Sequence, residues 1–249
     1  ALGAEASGSA SIGLLSGMAA GALVGLLFGG ISTTLRGSQL ITGVGINLFA
    51  LGFVALMLTI LGAPGFHSVS REIQVPLIPL GVGNLSPLVP ATIVLAFAVW
   101  WLLRRTQLGI WIRAAGDNPG AADVAGLPVN ALRLGTAVVA GMLAGLAGAY
   151  LSVDWFGAVT KEITAGRGFI ALAIVVFSGL NPLLALLGGF IFGLFDGLAT
   201  WVATYPGIKK IIPWQFVAMA PYIVTLAVVA GAIGRVRFPK GLGVPYLRE

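Results

Sequence analysis

The chain has 249 residues, of which 58% are hydrophobic and only 9% are charged, and its mean hydropathy is +1.02. This composition excludes an ordinary soluble globular protein and predicts an integral membrane protein. The chain contains no cysteine, which excludes a disulfide framework and a thiolate metal site. The net charge of +6 comes from Lys and Arg at the ends of apolar stretches, as orientation signals do, so nucleic acid is not an expected partner.

Apolar stretches recur along the chain at the length that a membrane crossing needs, which is about 20 residues of helix for a hydrocarbon core about 30 Å thick. We therefore predict an all-α, polytopic membrane protein with about seven transmembrane helices in a single domain, residues 1–249. The fifth predicted span is the shortest. The spans are residues 11–34, 39–62, 87–103, 131–152, 165–179, 182–203 and 213–234.

Basic residues are divided unequally between alternate loops. One set of loops holds nine of them: Arg36, Arg104, Arg105, Arg113, Arg133, Arg235, Arg237, Lys240 and Arg248. The other set holds five: Arg71, Lys161, Arg167, Lys209 and Lys210. The positive-inside rule places the first set, and with it the C-terminus, in the cytoplasm. An external start at Ala1 without a charged signal segment leads us to expect at least one further N-terminal helix in the natural protein.

Small residues spaced four apart form rows in three of the predicted spans. Residues four apart share one helix face, so each row predicts a smooth groove in which another helix packs closely. A surface of such low relief also suits helices that slide during transport, and both interpretations stay open. The rows are Gly17, Gly21, Gly25 and Gly29 in the first span, Gly141, Gly145 and Ala149 in the fourth, and Gly189, Gly193 and Gly197 in the sixth.

One acidic residue, Asp196, lies well inside a predicted span, roughly 10 Å from its outer end at about 1.5 Å per residue. A carboxylate at that depth is costly and needs a partner or a water-filled path. The partner best placed by depth is Arg167. The sequence leaves open a structural ion pair or protonated acid, and a position on a solute path; Asn47 is considered in the same way. The single histidine, His67, is expected to be a solvated loop side chain.

Aromatic residues gather near one end of several spans. Interfacial anchoring is the ordinary role of such residues, but Trp155 and Phe156, with Trp201 and Tyr205 on the same side, would also suit the mouth of a path for a ring-shaped solute. Phe169 lies near the start of the fifth span. The candidate solute-path residues are Asn47, Trp155, Phe156, Phe169 and Asp196.

Residues 104–133 form a polar, Arg-rich loop between apolar spans, and a short helix is predicted within it. Asn118 is a natural N-cap, Pro119 fits the first helical turn, and Gly126 can adopt the left-handed conformation that ends a helix. So short a helix is marginal in water by itself. We therefore expect it to lie against another surface, which can belong to a partner protein.

Several chemical functions lack their minimum sequence elements. The chain has no G-x-x-x-x-G-K-[ST] phosphate loop, no H-E-x-x-H motif and no G-x-S-x-G elbow, and no His or Cys cluster for a metal. No enzyme activity, cofactor or metal site is predicted. Ion-coupled carriers usually place several ionisable groups in the membrane, whereas this chain places essentially one.

Four stretches between residues 36 and 230 resemble one family, the permease subunits of bacterial ABC importers in the branched-chain amino acid and simple-sugar group, especially its nucleoside and simple-sugar branch. They are QLITGVGINLFALG, LGIWIRAAGDNPGAADVAGLPVNALRL, AGMLAGLAGAYLS and TAGRGFIALAIVVFSGLNPLLALLGGFIFGLFDGL. The resemblance implies that the chain is a permease subunit of an importer of nucleosides or simple sugars, and that it lies in the bacterial inner membrane. Relatives also carry upstream helices with a G-x-x-N-I-x-x-E-G type segment, which this sequence lacks.

The resemblance also implies partners. They are an ATPase subunit, a second permease copy or paralogue, and a solute-binding lipoprotein outside the membrane. The short loop helix matches the family's coupling segment, so a bulky charged residue at Ala121 or Ala122 is expected to abolish uptake. The coupling residues implied are Asn118, Pro119, Ala121, Ala122, Asp123 and Gly126.

Two other classes are considered. A secondary transporter or channel for a small polar solute would work without ATP, and uptake driven by an ion gradient alone would identify it. A purely structural membrane scaffold would leave the capped loop helix and the intramembrane acid without a purpose, so it ranks last.

Overall fold

The computed structural model describes residues 1–63, 65–70, 73–76, 78–79, 84–204, 215–217, 219, 222–223, 239–244 and 246. The helices in this part of the chain are α1 (Leu2–Ser7), α2 (Ala10–Gly29), α3 (Gln39–Ile60), α4 (Leu88–Arg105), α5 (Gln107–Asp117), α6 (Pro119–Val124), α7 (Val129–Tyr150), α8 (Arg167–Phe177) and α9 (Pro182–Thr204). The strands are β1 (Phe66–Ser68), β2 (Ile78–Pro79), β3 (Asn84–Leu85) and β4 (Ala158–Thr160). One π-helical turn, Gly30–Thr34, continues α2, and another, Leu151–Trp155, continues α7.

Within the described residues, five helices are long and apolar enough to cross a membrane, and α8 is a shorter apolar helix. The long segments are Ala10–Thr34, Gln39–Ile60, Leu88–Arg105, Val129–Trp155 and Pro182–Thr204. The five long segments confirm the first four predicted spans and the sixth, together with the all-α polytopic class. Helix α8 lies at the fifth predicted span, which was expected to be the shortest. The seventh predicted span, 213–234, lies largely outside the described residues.

The chain divides into two compact units. The first comprises Ala1–Thr92, Leu103–Ala165 and Pro239–Glu249, and the second comprises Ile93–Leu102 and Gly166–Phe238. The first unit contains the polar loop, and the second contains α8 and α9.

The core of the first unit is the antiparallel pair formed by α2 and α7. A Cβ atom built at Gly17 would lie 2.6 Å from the Cβ of Ala149, and one built at Gly29 would lie 2.7 Å from Cδ1 of Leu134. Between these ends, a Cβ at Gly21 would lie 2.8 Å from the Cα of Gly145. The row of α2 therefore lies directly against the row of α7, at backbone contact distances that only glycine permits.

Two loops of the first unit are joined by strands beyond the C-terminal end of α7. Strands β1 and β4 are antiparallel, with Ser68 opposite Ala158, and the backbone N–H of Val69 donates to the carbonyl oxygen of Gly157 over 2.8 Å. The loop that follows α3 and the loop that follows α7 thus lie at the same end of the unit.

The histidine on β1 corrects a prediction. His67 is half-buried rather than solvated, and its Nε2 lies 2.9 Å from both carboxylate oxygens of Glu5. Pairing between β1 and β4 holds the imidazole against α1, and Glu5 is 62 residues distant along the chain. Local sequence around His67 therefore contains no sign of this partner.

In the second unit, α8 and α9 are joined by a tight turn. Gly179 has φ 57° and Leu180 has φ 62°, and the side chain of Asn181 accepts a hydrogen bond from the N–H of Leu183 over 3.1 Å at the start of α9. A Cβ built at Gly188 would lie 2.8 Å from Cγ2 of Ile174 on α8. Helix α9 therefore presents Gly188 to its neighbour. The row predicted on this helix consists of Gly189, Gly193 and Gly197. In the described part of the chain nothing lies within 4 Å of a Cβ atom built on any of them, so this row forms no packed groove there.

Candidate functional site

The short helix predicted inside the polar loop is present as α6. The side chain of Asn118 caps it, with Oδ1 accepting from the N–H of Ala121 over 3.1 Å, and Pro119 is its first residue. Gly126 has φ 83° and carries the chain out of the helix in the left-handed conformation. The predicted start and stop signals are confirmed.

A second helix of the polar loop, α5, was not predicted. Thr106 caps it, because Oγ1 accepts from the N–H of Gly109 over 3.2 Å. The signal was visible in the sequence, since a Thr N-cap precedes an amphipathic run in which Gly109 and Ala115 are the buried positions. The surrounding segment is highly polar, and high polarity is typical of a loop, so the helix was missed.

The packing of the polar loop separates the two faces of α6. Ala122 is 3% exposed and forms a buried cluster with Ala115 of α5 and Val129 of α7. Ala121 is exposed, and Val124 is 91% exposed. Of the two alanines predicted for coupling, Ala122 thus faces the interior of the loop: its methyl group supports α6 from within, and a charge there would disrupt the loop itself.

The remaining residue predicted for this loop, Asp123, has a partner inside the chain. Its Oδ2 accepts a hydrogen bond from the hydroxyl of Tyr246 over 3.0 Å, and the Tyr246 ring packs on the buried cluster. Sequence reasoning missed Tyr246, because 123 residues separate it from Asp123.

An open cleft of about 640 Å³ lies beside the strands of the first unit. Trp155 and Phe156, two of the candidate solute-path residues, line this cleft, and the side chains of both are about half exposed. The sequence did not indicate its polar wall, which brings a carboxylate, an amide and a hydroxyl to the same space. An indole beside such groups is suited to a ring-shaped polar solute. The polar residues are Ser68, Gln74 and Asp154.

In the second unit, the predicted ion pair between Arg167 and Asp196 is present. Nη2 of Arg167 lies 3.0 Å from Oδ2 of Asp196, with the two side chains 34% and 49% exposed. Phe169, two residues after Arg167 on α8, lines a separate apolar cleft of about 300 Å³ with Tyr222.

The other candidate solute-path residues do not join these clefts. Asn47 is exposed on α3 and lines neither of them. Trp201 is 49% exposed on α9, and Tyr205 lies outside the described residues. Trp155 and Phe156 belong to the first unit, whereas Phe169 and Asp196 belong to the second.

Replacing Asp196 with alanine should lower the thermal midpoint of the purified protein, because the ion pair with Arg167 at the start of an apolar helix is then lost. The double variant D196A/R167A should lose less stability than the two single losses combined, with a coupling energy of about 0.5–3 kcal/mol. Gly197→Ala, at the neighbouring position, is the control. If D196A left stability unchanged and raised only the KM for uptake, the residue would serve the solute path instead.

The described helices and the folded polar loop define a polytopic α-helical membrane protein. Its sequence matches the pattern of one family over residues 2–233. The chain belongs to the permease components of branched-chain amino acid transport systems, and so it is a transport subunit rather than an enzyme.

Three relatives cover most of the chain. It is 35% identical over 244 residues to the nucleoside ABC transporter permease protein NupC of Lactococcus lactis subsp. cremoris, covering 92% of this chain and 76% of that protein. It is 33% identical to the guanosine ABC transporter permease protein NupQ of Bacillus subtilis, covering 95% and 77%. It is 31% identical to the putative glucose ABC transporter permease protein TsgC13 of Haloferax volcanii, covering 96% and 80%. No solved structure matches the chain significantly.

Proposed function

We propose that this chain is the permease subunit of an ATP-driven ABC importer, and that α6 is the helix on which the ATPase subunit acts. The observation that carries the proposal is the structure of the polar loop. A capped helix of six residues is held from within by Ala122 and presents Ala121 and Val124 outward. An exposed apolar side chain on a supported cytoplasmic helix is suited to insertion into a groove of a partner.

The proposed solute is a nucleoside or a simple sugar, with a nucleoside favoured. Two of the three relatives above carry nucleoside or guanosine in their names, and the third carries glucose. The cleft beside Trp155 adds a physical argument, because an indole face suits a nucleobase and the nearby carboxylate and amide suit hydroxyl and amino groups.

The proposed orientation places the polar loop and the C-terminus in the cytoplasm of a bacterial inner membrane. The nine-to-five distribution of basic residues supports it. The loop contacts also support it, because β1 pairs with β4 at one end of the first unit, and Gly241 of the C-terminal segment donates to the carbonyl oxygen of Gly116 in the polar loop over 2.9 Å. Each contact joins two segments that the rule assigns to the same side.

In the proposed mechanism, closure of the ATPase dimer displaces α6. Helix α6 is packed on Val129, the first residue of α7, so the displacement passes into the α2–α7 pair. The path then alternates between inward-open and outward-open packings. A second permease copy or a paralogue completes the path, and an extracytoplasmic lipoprotein supplies the solute. Residues 1–249 act in this scheme as one transmembrane domain.

The test is uptake by proteoliposomes that contain the complete transporter. Radiolabelled guanosine should enter only when the ATPase subunit and ATP are present, and an ATPase variant that binds but does not hydrolyse ATP is the control. Unlabelled nucleosides should compete more strongly than ribose or glucose. Uptake driven by a proton or sodium gradient without ATP would contradict the proposal and favour a secondary transporter.

A further inference from the structure

The C-terminal segment described by residues 239–244 and 246, hereafter the strap, lies against the polar loop. The ring of Tyr246 packs on the cluster of Ala115, Ala122 and Val129, which belong to α5, α6 and α7. Helix α6 has only six residues and cannot persist without such support. The strap thus supplies part of the surface on which α6 rests.

Polar contacts connect the strap to every helix of the polar loop region. The hydroxyl of Tyr246 donates to Oδ2 of Asp123 on α6 over 3.0 Å. The guanidinium of Arg133 on α7 donates to the carbonyl oxygens of Val244 at 2.9 Å and Gly241 at 3.4 Å, and to that of Ala115 on α5 at 3.5 Å. One arginine side chain therefore ties the strap, α5 and α7 together.

The strap approaches the junction between α5 and α6 so closely that a side chain would not fit. A Cβ built at Gly241 would lie 2.7 Å from Nη2 of Arg133 and 2.7 Å from the carbonyl oxygen of Gly116. The same atom would lie 3.5 Å from Cδ of Pro119, the first residue of α6. Gly241 is therefore required for the contact at its present depth.

We propose that the strap fixes the orientation of α6, and that Tyr246 and Arg133 are positioning residues for coupling to the ATPase. A helix that rests on the strap, α5 and α7 moves with α7 when it is pushed. A helix without these contacts would tilt or unwind, and the displacement would be lost before it reached the membrane. This inference rests on the proposed coupling role of α6.

The test compares Tyr246→Phe with the native chain in the complete transporter. The phenylalanine ring keeps its place in the cluster, while the hydrogen bond to Asp123 is lost. We expect the amount of solute transported per ATP hydrolysed to fall about tenfold. This factor corresponds to the free energy of one hydrogen bond to a charged group. Membrane abundance and binding of the ATPase subunit should not change, whereas a merely structural role would lower abundance first.

Two further variants complete this experiment. Asp123→Asn keeps an oxygen that can accept from Tyr246, so it should preserve more coupling than Asp123→Ala. Leu242→Ala, in the same strap but 62% exposed, is the matched control and should transport normally. Arg133→Lys keeps the charge but loses the forked geometry, and it should reduce the coupling ratio as Tyr246→Phe does.

A single cysteine at Val124 distinguishes failure of this inference from failure of the proposed function. The 249 residues contain no native cysteine, so V124C crosslinking to the ATPase subunit has no background from this chain. If V124C does not crosslink, the coupling role of α6 is wrong. If it crosslinks, and Tyr246→Phe and Asp123→Ala both transport with the native coupling ratio, the strap inference is overturned.

Discussion

Replacing Gly141 with valine should prevent the protein from accumulating as a folded, monodisperse species. A Cβ at this position would lie 2.8 Å from the Cα and 2.9 Å from the backbone nitrogen of Gly25, and it would also collide with the carbonyl oxygen of Gly21. Both neighbours are backbone and cannot turn aside. We expect the free energy of unfolding to fall by about 3 kcal/mol or more, the upper range for overpacking. Size-exclusion profiles and thermal midpoints in detergent measure the effect.

The control is Gly148→Val on the same helix. Nothing lies within 4 Å of a Cβ built at Gly148, so this variant adds an equal side chain to α7 without a steric conflict. It should be close to native in yield and thermal midpoint. Equal loss in both variants would mean that glycine serves the backbone of α7, and the close contact with α2 would not be the reason for Gly141.

Replacing Val124 with aspartate should abolish ATP-driven uptake while the permease stays folded in the membrane. The side chain is 91% exposed, so the substitution disturbs no internal contact, but a carboxylate has no place in an apolar groove of a partner. Coupling energies of about 1–3 kcal/mol are typical, and loss of this contact should lower uptake at least tenfold. Uptake, ATPase stimulation and permease abundance are measured together.

A charge of the same kind at Asn130 provides the comparison. This residue is exposed in the first turn of α7, six positions beyond Val124, so Asn130→Asp adds a carboxylate to the same loop but not to α6. It should retain most of the uptake. Native uptake by the Val124→Asp variant would show that α6 does not receive the ATPase. Ala121→Arg tests the same exposed surface with a positive charge.

Local rules of sequence predicted α6 well. An N-cap and a helix-ending glycine act on the backbone within a few residues, so Asn118 and Gly126 predict the ends of α6 without any distant contact. The membrane spans are equally local, because length and apolarity decide them. The same rules applied to Thr106 would have found α5.

Partners that are distant along the chain could not be predicted in the same way. His67 meets Glu5, and Asp123 meets Tyr246, only because the fold returns separate segments to one place. The rows of small residues are an intermediate case. Their periodicity predicted which helix faces are packed, but it did not predict that the row that contains Gly17 on α2 packs against the row that contains Ala149 on α7. For Asp196 and Arg167, depth in the membrane supplied the missing information, because two charges in an apolar layer have few alternatives.

The meshing of α2 with α7 has a mechanical consequence. Val129 and Trp155 bound a segment of 27 residues, roughly 40 Å long at about 1.5 Å per residue. Because α2 packs closely against this segment from Leu134 to Ala149, we expect the two helices to resist bending together. If α6 is pushed, we therefore expect the displacement to reach the other end of α7, where Trp155 lines the open cleft.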